Sequence, residues 1–239
     1  MKRLINYLNG LLLEDEVLLK YLFDRGITEE SIKKYKLGVF PKNPVDILKY
    51  EEAKKLLDAQ ILYSTFNGFK SMFSQNKLII PVYDAEGEPV GLAGRVLASA
   101  EMIKKHGLLK YKNSVYDKTL NLYGLDVAKE SIMKKDKAFL VEGYFDVISA
   151  HQNKMLNVVA PCGTMFSNGQ LNLLARYTEN IYLLFDNDSP GQLASERVIK
   201  KYGDKKRITI KRLKMEKFND LDELLQSGED VEKYIKIVR

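Results

Sequence analysis

The sequence contains little cysteine and histidine, the residues that form disulfide bonds and bind structural zinc. One cysteine and two histidines occur among its 239 residues. The single cysteine, Cys162, excludes an internal disulfide bond, and the scarcity of Cys and His excludes a structural zinc site with four such ligands. We therefore expect no zinc cofactor, and a reducing, cytoplasmic setting follows as the default.

Long apolar segments and several common motifs are also missing. No apolar run approaches the roughly 20 residues that span a bilayer, so we expect no membrane partner. Lys2 and Arg3 are followed by the acidic residues Glu14, Asp15 and Glu16, which is not the pattern of a secretory signal. The sequence has no P-loop, which excludes a helicase motor within this chain, and it has no internal repeat or low-complexity linker.

The charged residues that are present favour an anionic partner. Hydrophobic residues make up 45% of the chain and charged residues 29%, which is typical of a globular protein with one core or two compact subdomains. The formal net charge is +6, and basic residues cluster over 104–118 and 200–217. These clusters are compatible with nucleic-acid binding, although many basic proteins bind no nucleic acid.

The first 65 residues have a helical pattern. A leucine-rich segment predicts a helix over residues 11–23, which Gly26 would close. Thr28 precedes two glutamates and predicts the N-cap of a second helix. Prolines then break the chain before a third predicted helix over residues 45–59.

Strand-like segments follow these helices. Apolar runs over 77–83 and 89–97 around a polar turn at 84–87 predict a β-hairpin. Further on, short apolar runs alternate with helix-like segments, and Ser167 with Gln170 predicts a capping box for one of them. The predicted strands cover 138–141, 157–160, 180–185 and 207–210, and the predicted helices cover 146–152, 168–177 and 191–201. This alternation predicts an α/β fold with a parallel sheet whose functional loops follow the carboxyl ends of the strands.

Carboxylates follow three of these predicted strands. They are Glu142 and Asp146 after the first strand, Asp186 and Asp188 after the third, and Asp220 and Asp222 after the fourth. Because the carboxyl ends of parallel strands lie along one edge, we expect these side chains to converge. Converging carboxylates repel one another, and a hard divalent cation such as Mg²⁺ or Mn²⁺ removes that repulsion.

Each acidic motif also has a purely structural interpretation. An Asp-x-Asp before Ser-Pro-Gly is usually a solvated turn, and Asp220 with Glu223 could be no more than the N-cap pair of a helix. Glu142 beside a glycine is by itself only weak evidence for a metal site. The order of the motifs at successive strand ends is what favours a metal site.

The same motifs resemble the Toprim domain, which bacterial primases, topoisomerases and several nucleases share. The match is greatest to the catalytic core of DnaG-type primases. The family patterns Glu-Gly-Tyr-Met-Asp-Val, Gly-Thr, Asp-Gly-Asp-x-Ala-Gly and Asp-Pro-Asp-Glu are similar to Glu142-Gly-Tyr-Phe-Asp-Val147, Cys162-Gly-Thr164, Asp186-Asn-Asp-Ser-Pro-Gly191 and Asp220-Leu-Asp-Glu223.

The resemblance continues upstream and therefore covers residues 14–226. These upstream segments favour a primase over the other Toprim enzymes. The similar segments are Tyr21-Leu-Phe-Asp-Arg-Gly-Ile-Thr-Glu-Glu30, Pro81-Val-Tyr-Asp with Gly91-Leu-Ala-Gly-Arg-Val96, Lys110-Tyr-Lys-Asn-Ser114 and Leu122-Tyr-Gly-Leu125. The implied organisation is an α+β primase-core subdomain over residues 1–130, followed by a Toprim-type parallel sheet flanked by helices over residues 131–239.

The resemblance also implies roles for individual residues. Glu142, Asp186 and Asp188 would be catalytic and would bind Mg²⁺ or Mn²⁺, while Asp146, Asp220 and Asp222 would hold a second metal ion or support the first. The residues implied to bind the template and the nucleotide are Arg95, Lys110, Tyr111, Asn113 and Lys118. The implied partners are single-stranded DNA, nucleoside triphosphates and a replicative helicase or other replication proteins.

The chain departs from the family in two respects. One cysteine cannot build the zinc-binding domain that bacterial primases usually carry, and the helical end of the catalytic core is missing or short. These departures predict either a fragment of a longer protein or a small relative from a phage or mobile element. Primer synthesis is therefore the first hypothesis, and the alternatives are a Toprim nuclease or other strand-cleaving enzyme, and a nucleic-acid-binding primase fragment without catalysis.

Overall fold

A computed structural model describes residues 1–74, 77–163, 165–204 and 207–238. Thr164, the last residue of the predicted Cys162-Gly-Thr164 turn, lies outside these ranges. The chain forms two compact units: the first comprises residues 1–82 and 88–116, and the second comprises residues 83–87 and 117–239. The boundary predicted at residue 130 stays a prediction, because compactness alone does not show where an independently folding unit begins.

The first unit begins with helices and ends with strands. Its elements are α1 (Lys2–Leu13), α2 (Glu16–Asp24), α3 (Glu29–Lys34), β1 (Gly38–Val39), a 3₁₀ helix (Pro44–Lys49), α4 (Ala53–Asp58), β2 (Leu62–Thr65), β3 (Gly68–Ser71), β4 (Leu78–Tyr83), β5 (Pro89–Arg95), α5 (Ala100–Lys105) and β6 (Tyr111–Asn113). Polar side chains cap the starts of α2, α3, the 3₁₀ helix and α5. The Thr28 side chain accepts a hydrogen bond from the backbone of Ser31 and confirms the predicted cap of α3.

Two predicted helices of the first unit are wrong in extent. The helix predicted over residues 11–23 is divided between α1 and α2, because the Asp15 side chain accepts a hydrogen bond from Leu18 N–H and starts a new helix. The helix predicted over residues 45–59 is a 3₁₀ helix that begins at Pro44, followed by the separate α4. A side-chain cap interrupts the apolar pattern in the first case, whereas α4 begins after Glu52 without a side-chain cap hydrogen bond.

The strands of the first unit form two sheets. β1, β4, β5 and β6 make a four-stranded sheet in the order β1-β4-β5-β6, and the adjacency of β4 and β5 confirms the predicted hairpin. β2 and β3 form a separate antiparallel hairpin, which the sequence pattern did not predict.

The second unit is an α/β sheet layer. Its elements are a 3₁₀ turn (Lys118–Leu120), β7 (Leu122–Tyr123), α6 (Leu125–Lys135), β8 (Ala138–Leu140), α7 (Tyr144–Gln152), β9 (Val158–Pro161), α8 (Asn168–Leu174), β10 (Asn180–Leu183), α9 (Ser189–Tyr202), β11 (Thr209–Met215), α10 (Leu221–Gln226), α11 (Val231–Tyr234) and β12 (Ile235–Val238). The predicted α/β class is confirmed. The capping box of Ser167 and Gln170 is confirmed at the start of α8.

Six strands of this unit form one sheet in the order β12-β11-β10-β8-β9-β7. The four central strands are parallel, as predicted, whereas β12 and β7 add antiparallel edges that the sequence did not predict. Buried apolar side chains that include Leu140, Val159, Ile181 and Leu183 form the core under the helices. The carboxyl ends of β8, β10 and β11 therefore lie side by side on one edge of the sheet.

None of the helices in the described ranges combines the length and the apolar character that crossing a bilayer would require.

Candidate active site

Glu142 joins the ends of two neighbouring strands. It follows β8 by two residues, and its side chain is exposed. Its Oε1 accepts a hydrogen bond from the backbone N–H of Asp186 at 3.1 Å, three residues beyond the end of β10. Because β8 and β10 pair in parallel with Leu140 opposite Leu183, the two acidic motifs meet at the strand ends, as predicted.

Asp146 lies in the first turn of α7, the helix that follows Glu142 in the chain. Its Oδ2 accepts the backbone N–H of Gly143 at 2.8 Å, so the carboxylate also closes the N-terminus of that helix. The pKa of Asp146 is raised to about 7. Burial is the main cause and the negative charges of Asp220, Asp222 and Glu142 contribute, while the hydrogen bond from Gly143 lowers the pKa.

Asp186 interacts electrostatically with four acidic neighbours. Its pKa is raised to about 8, first by burial and then by the negative charges of the neighbouring carboxylates, which in order of effect are Glu142, Asp146, Asp220 and Asp188. A carboxyl group with such a pKa is mostly protonated at neutral pH, because its ionised form is unfavourable when buried beside other carboxylates. The site therefore has a local excess of negative charge that a bound cation would compensate.

Asp188 begins α9. Its Oδ1 accepts the backbone N–H of Gly191 at 2.8 Å, and its side chain is exposed. Gly191 itself leaves no room for a larger residue, because a Cβ atom there would lie 2.3 Å from the Asp186 carbonyl oxygen and 2.7 Å from Glu142 Oε1. The glycine thus allows the start of α9 to approach both acidic strand ends.

We expect Gly191→Ala to displace Glu142 or the Asp186 backbone and to lower both thermal stability and activity. The steric overlap is with a backbone oxygen, so the loss should be on the order of 1–3 kcal/mol of unfolding free energy, as for overpacked sites. Gly10→Ala in α1 is the matched control, because no atom lies within 4 Å of its added Cβ and alanine favours a helix. Equal stability of the two variants in a thermal melt would contradict the close packing at Gly191.

Asp220 and Asp222 have structural roles in addition to their predicted role at the metal. Asp220 Oδ1 accepts the backbone N–H of Glu223 at 2.7 Å and caps α10, so the helix-cap interpretation of this motif holds. Asp222 is buried and accepts a hydrogen bond from the Ser149 hydroxyl, which links α10 to α7. Both carboxylates still act on Asp146 electrostatically, so they lie within range of the site.

Asn187 is a residue of this site that motif reasoning did not single out. Its side-chain amide donates hydrogen bonds to the carbonyl oxygens of Met215 and Phe218, and its backbone N–H donates to the Asn219 carbonyl oxygen at 2.7 Å. These bonds fix the loop that leads to Asp220 beside the loop that carries Asp186. The sequence feature that could have indicated this role is Asn187 itself, because the family pattern Asp-Gly-Asp-x-Ala-Gly has glycine at that position.

The donor set fits a hard divalent cation. Its side chains offer only carboxylate oxygens, which Mg²⁺ and Mn²⁺ prefer. Within the described ranges, however, no group of three Asp, Glu, His or Cys side chains is arranged to hold a metal ion as it stands. The carboxylates share one edge of the sheet and one electrostatic environment.

The predicted nucleic-acid residues of the first unit lie on two adjacent strands. Arg95 ends β5 directly opposite Tyr111 at the start of β6, and the guanidinium donates a hydrogen bond to the Tyr111 hydroxyl. Asn113 is paired with Ala93 on the same two strands, and Lys110 is exposed just before β6. Lys118 belongs to the second unit, where it begins the 3₁₀ turn and its carbonyl oxygen accepts a hydrogen bond from Gln170.

Family comparisons cover nearly the whole chain. Residues 7–129 match the family described as DNA primase catalytic core, N-terminal domain, and residues 139–225 match the Toprim-like family. The DNA primase of Aquifex aeolicus is 32% identical over 208 residues, which are 83% of this chain and 40% of that protein. The DNA primase of Clostridium acetobutylicum is 31% identical over 221 residues, which are 87% of this chain and 35% of that protein.

Solved structures show the same fold. The zinc-binding and RNA polymerase domains of the Aquifex aeolicus primase align with a TM-score of 0.82 and 30% identity, covering 95% of this chain and 56% of that one. The E. coli primase catalytic core aligns with a TM-score of 0.79 and 26% identity, covering 94% and 74%. A DnaG primase catalytic domain bound to single-stranded DNA aligns with a TM-score of 0.79 and 25% identity, covering 95% and 75%. The chain spans at most 40% of the length of these two curated relatives.

Proposed function

Because the chain belongs to the DNA primase catalytic-core family, we propose that it synthesises short primers on single-stranded DNA from nucleoside triphosphates. The observation that carries the proposal is the set of acidic side chains at the carboxyl ends of β8 and β10, where Asp186 interacts electrostatically with four other carboxylates. That arrangement suits phosphoryl transfer, in which positioning and neutralisation of negative charge supply most of the catalysis.

Glu142, Asp186 and Asp188 would hold the divalent cation, with Mg²⁺ or Mn²⁺ as the proposed ions. When bound, the ion would supply charge neutralisation and Lewis-acid activation of an attacking 3′-hydroxyl. The residues themselves hold the edge together: Glu142 Oε1 orients the Asp186 backbone, and Asp188 fixes the start of α9. Asp146, Asp220 and Asp222 would support this arrangement or bind a second ion.

The basic residues would bind the substrates. Arg95 and Lys110 would contact phosphates, and Tyr111 offers a ring on which a base can stack. The Arg95 guanidinium lies 5.3 Å from the centre of the Tyr111 ring, so the two side chains present a cation and an aromatic face together. Asn113 and Lys118 are further proposed contacts. A replicative helicase as partner and a cytoplasmic location stay predictions from the family resemblance and the cysteine content.

We expect Asn187→Ala to reduce primer synthesis about 10- to 100-fold, the usual loss when a residue that supports metal ligands is removed. The variant loses the two amide hydrogen bonds that hold the Met215 and Phe218 carbonyls, so Asp220 loses its fixed position beside Asp186. The apparent affinity for the metal should fall with the rate, and excess Mn²⁺ should restore part of the activity. A loss of activity that metal concentration does not change would contradict a positioning role.

The proposed activity is tested with two labels in one reaction. End-labelled single-stranded DNA and a labelled ribonucleotide are incubated with the protein and either Mg²⁺ or Mn²⁺. New labelled oligoribonucleotides on an intact template would support primer synthesis. Shortening of the template without nucleotide incorporation would replace the proposal with a Toprim nuclease.

A further inference from the structure

A serine outside the acidic motifs donates a hydrogen bond to one of their carboxylates. Ser149 lies in α7, three residues after Asp146, and only 3% of its surface is exposed. Its hydroxyl donates to Oδ1 of Asp222, which lies in the first turn of α10. The two residues are 73 positions apart in the chain, so the bond depends on how α7 and α10 pack rather than on a local pattern.

Ser149 and Asp146 lie on the same side of α7. Residues three positions apart are neighbours on the surface of an α-helix. Asp222 contacts this side through Ser149, and its charge also acts electrostatically on Asp146. One carboxylate of α10 is therefore held by α7 at a point where it influences another carboxylate of the candidate site.

The hydroxyl of Ser149 also has a structural effect. Asp222 is 4% exposed, and a buried carboxylate needs hydrogen-bond donors whatever its function. Serine is a weaker helix former than alanine, so helix formation does not explain a serine at a buried position of α7. The hydroxyl has to be judged by its partner, and that partner belongs to the acidic set at the edge of the sheet.

We propose that Ser149 is a positioning residue, which orients the Asp222 carboxylate for the divalent cations proposed at this edge of the sheet. This inference rests on the proposed function, in which Asp222 supports the first cation or binds a second. A donor on one carboxylate oxygen fixes the rotation of the group, as hydrogen bonds to metal-binding carboxylates commonly do. Because a hydroxyl is neutral, it holds Asp222 without cancelling the negative charge that attracts the cation, whereas a lysine or an arginine would compete with that cation.

The test is a titration of the protein with Mn²⁺, without DNA or nucleotides, in which electron paramagnetic resonance measures the free ion. Ser149→Ala removes the donor, and we expect it to weaken Mn²⁺ binding about tenfold, the lower end of the usual loss for a supporting residue. Ser149→Cys keeps the size of the side chain but offers only a weak donor, so it weakens binding as well. Ser149→Thr keeps the hydroxyl and retains the affinity of the wild type.

Ser195→Ala is the matched control. Ser195 is a serine of α9 in the same unit, has the same 3% exposure as Ser149, and lies about two turns beyond Asp188. This variant should bind Mn²⁺ like the wild type. Melting temperatures in EDTA measure the structural effect of each substitution separately, since no metal is then bound.

The proposal is overturned if Ser149→Ala binds Mn²⁺ as tightly as the wild type, because any decrease in its melting temperature would then reflect packing alone. Ser149→Thr binding as weakly as Ser149→Ala at an unchanged melting temperature would overturn it as well, as would an equal loss in Ser195→Ala. If the wild type binds no Mn²⁺, the proposed metal site itself fails and this inference fails with it. The two failures are therefore distinguishable in one experiment.

Discussion

Primer synthesis is expected to fall by more than about a hundredfold when Asp186 is replaced by alanine. Replacing a residue that only supports a metal ligand already lowers metal affinity or activity about 10- to 100-fold. Asp186 is placed where the charges of Glu142, Asp146 and Asp188 meet. Alanine removes the carboxylate that we propose as a metal ligand and leaves the backbone N–H that donates to Glu142. The fold should therefore persist while the metal-dependent step is abolished. Labelled ribonucleotide incorporation on single-stranded DNA measures the effect.

Asp204→Asn is the matched control for this experiment. Asp204 is an exposed aspartate just beyond the end of α9, in the same unit as the site. Its replacement should leave primer synthesis within about twofold of the wild type, as expected for a surface residue. Retention of full activity by Asp186→Ala would show that the metal assignment is wrong.

Without divalent metal, the protein is expected to become less stable as the pH rises from about 6 to about 9. The pKa of Asp146 is raised to about 7 and that of Asp186 to about 8 in the folded protein, above the usual value of 3.8. Between the unfolded and folded values the folded protein binds more protons than the unfolded chain. The stability is therefore highest at the acidic end of this range and is lost as the pH rises through the folded pKa values.

The expected decrease is on the order of 1–2 kcal/mol, after a discount for solvent screening of the partly exposed Asp186. Asp186→Asn removes the charge, so this variant should be more stable than the wild type near pH 8 and should show a shallower pH dependence. A divalent cation should raise the melting temperature of the wild type more near pH 8 than near pH 6, because protons compete with the metal for the carboxylates.

Thermal unfolding with and without Mg²⁺ measures both effects in wild type and Asp186→Asn. Other groups also titrate in this pH range, so the contribution of Asp186 is read from the difference in pH-dependent stability between wild type and Asp186→Asn. If the two proteins have the same pH dependence in EDTA, Asp186 does not carry the raised pKa that the packing implies.

The sequence was sufficient to predict the sheet and the order of acidic motifs along it. Short apolar runs predicted β8, β9, β10 and part of β11, and alternation with helices predicted their parallel pairing. Parallel strands place their carboxyl ends together, so the sequence pattern predicts that Glu142 and Asp186 share one edge, where a hydrogen bond of 3.1 Å joins Glu142 Oε1 to the Asp186 backbone N–H.

Other features depend on contacts that a local pattern does not encode. The hydrogen bonds from Asn187 to Met215 and Phe218 join residues about 30 positions apart, so neither segment alone indicates them. The break between α1 and α2 arises because the cap formed by Asp15 outweighs a continuous leucine pattern. β7 and β12 are short edge strands, and their register depends on the sheet that is already formed.

The hydrogen-bonding roles of individual carboxylates could not be predicted from the sequence either. Asp220 and Asp222 fit a metal motif, yet one caps α10 and the other accepts the Ser149 hydroxyl. Spacing places a side chain near a site but does not determine which hydrogen bonds it makes there. The same limit applies to ligation, which depends on side-chain rotation of exposed groups such as Glu142.

Binding of Mn²⁺ to the isolated protein, followed by the decrease of the electron paramagnetic resonance signal of free Mn²⁺, tests the central proposal most directly. The comparison is between wild type, the double variant Glu142→Gln, Asp186→Asn, and the control Asp204→Asn. We expect wild type and the control to bind the ion with equal affinity and the double variant to leave it free. Equal binding by the double variant, or no binding by wild type, would contradict a metal centre at this edge of the sheet.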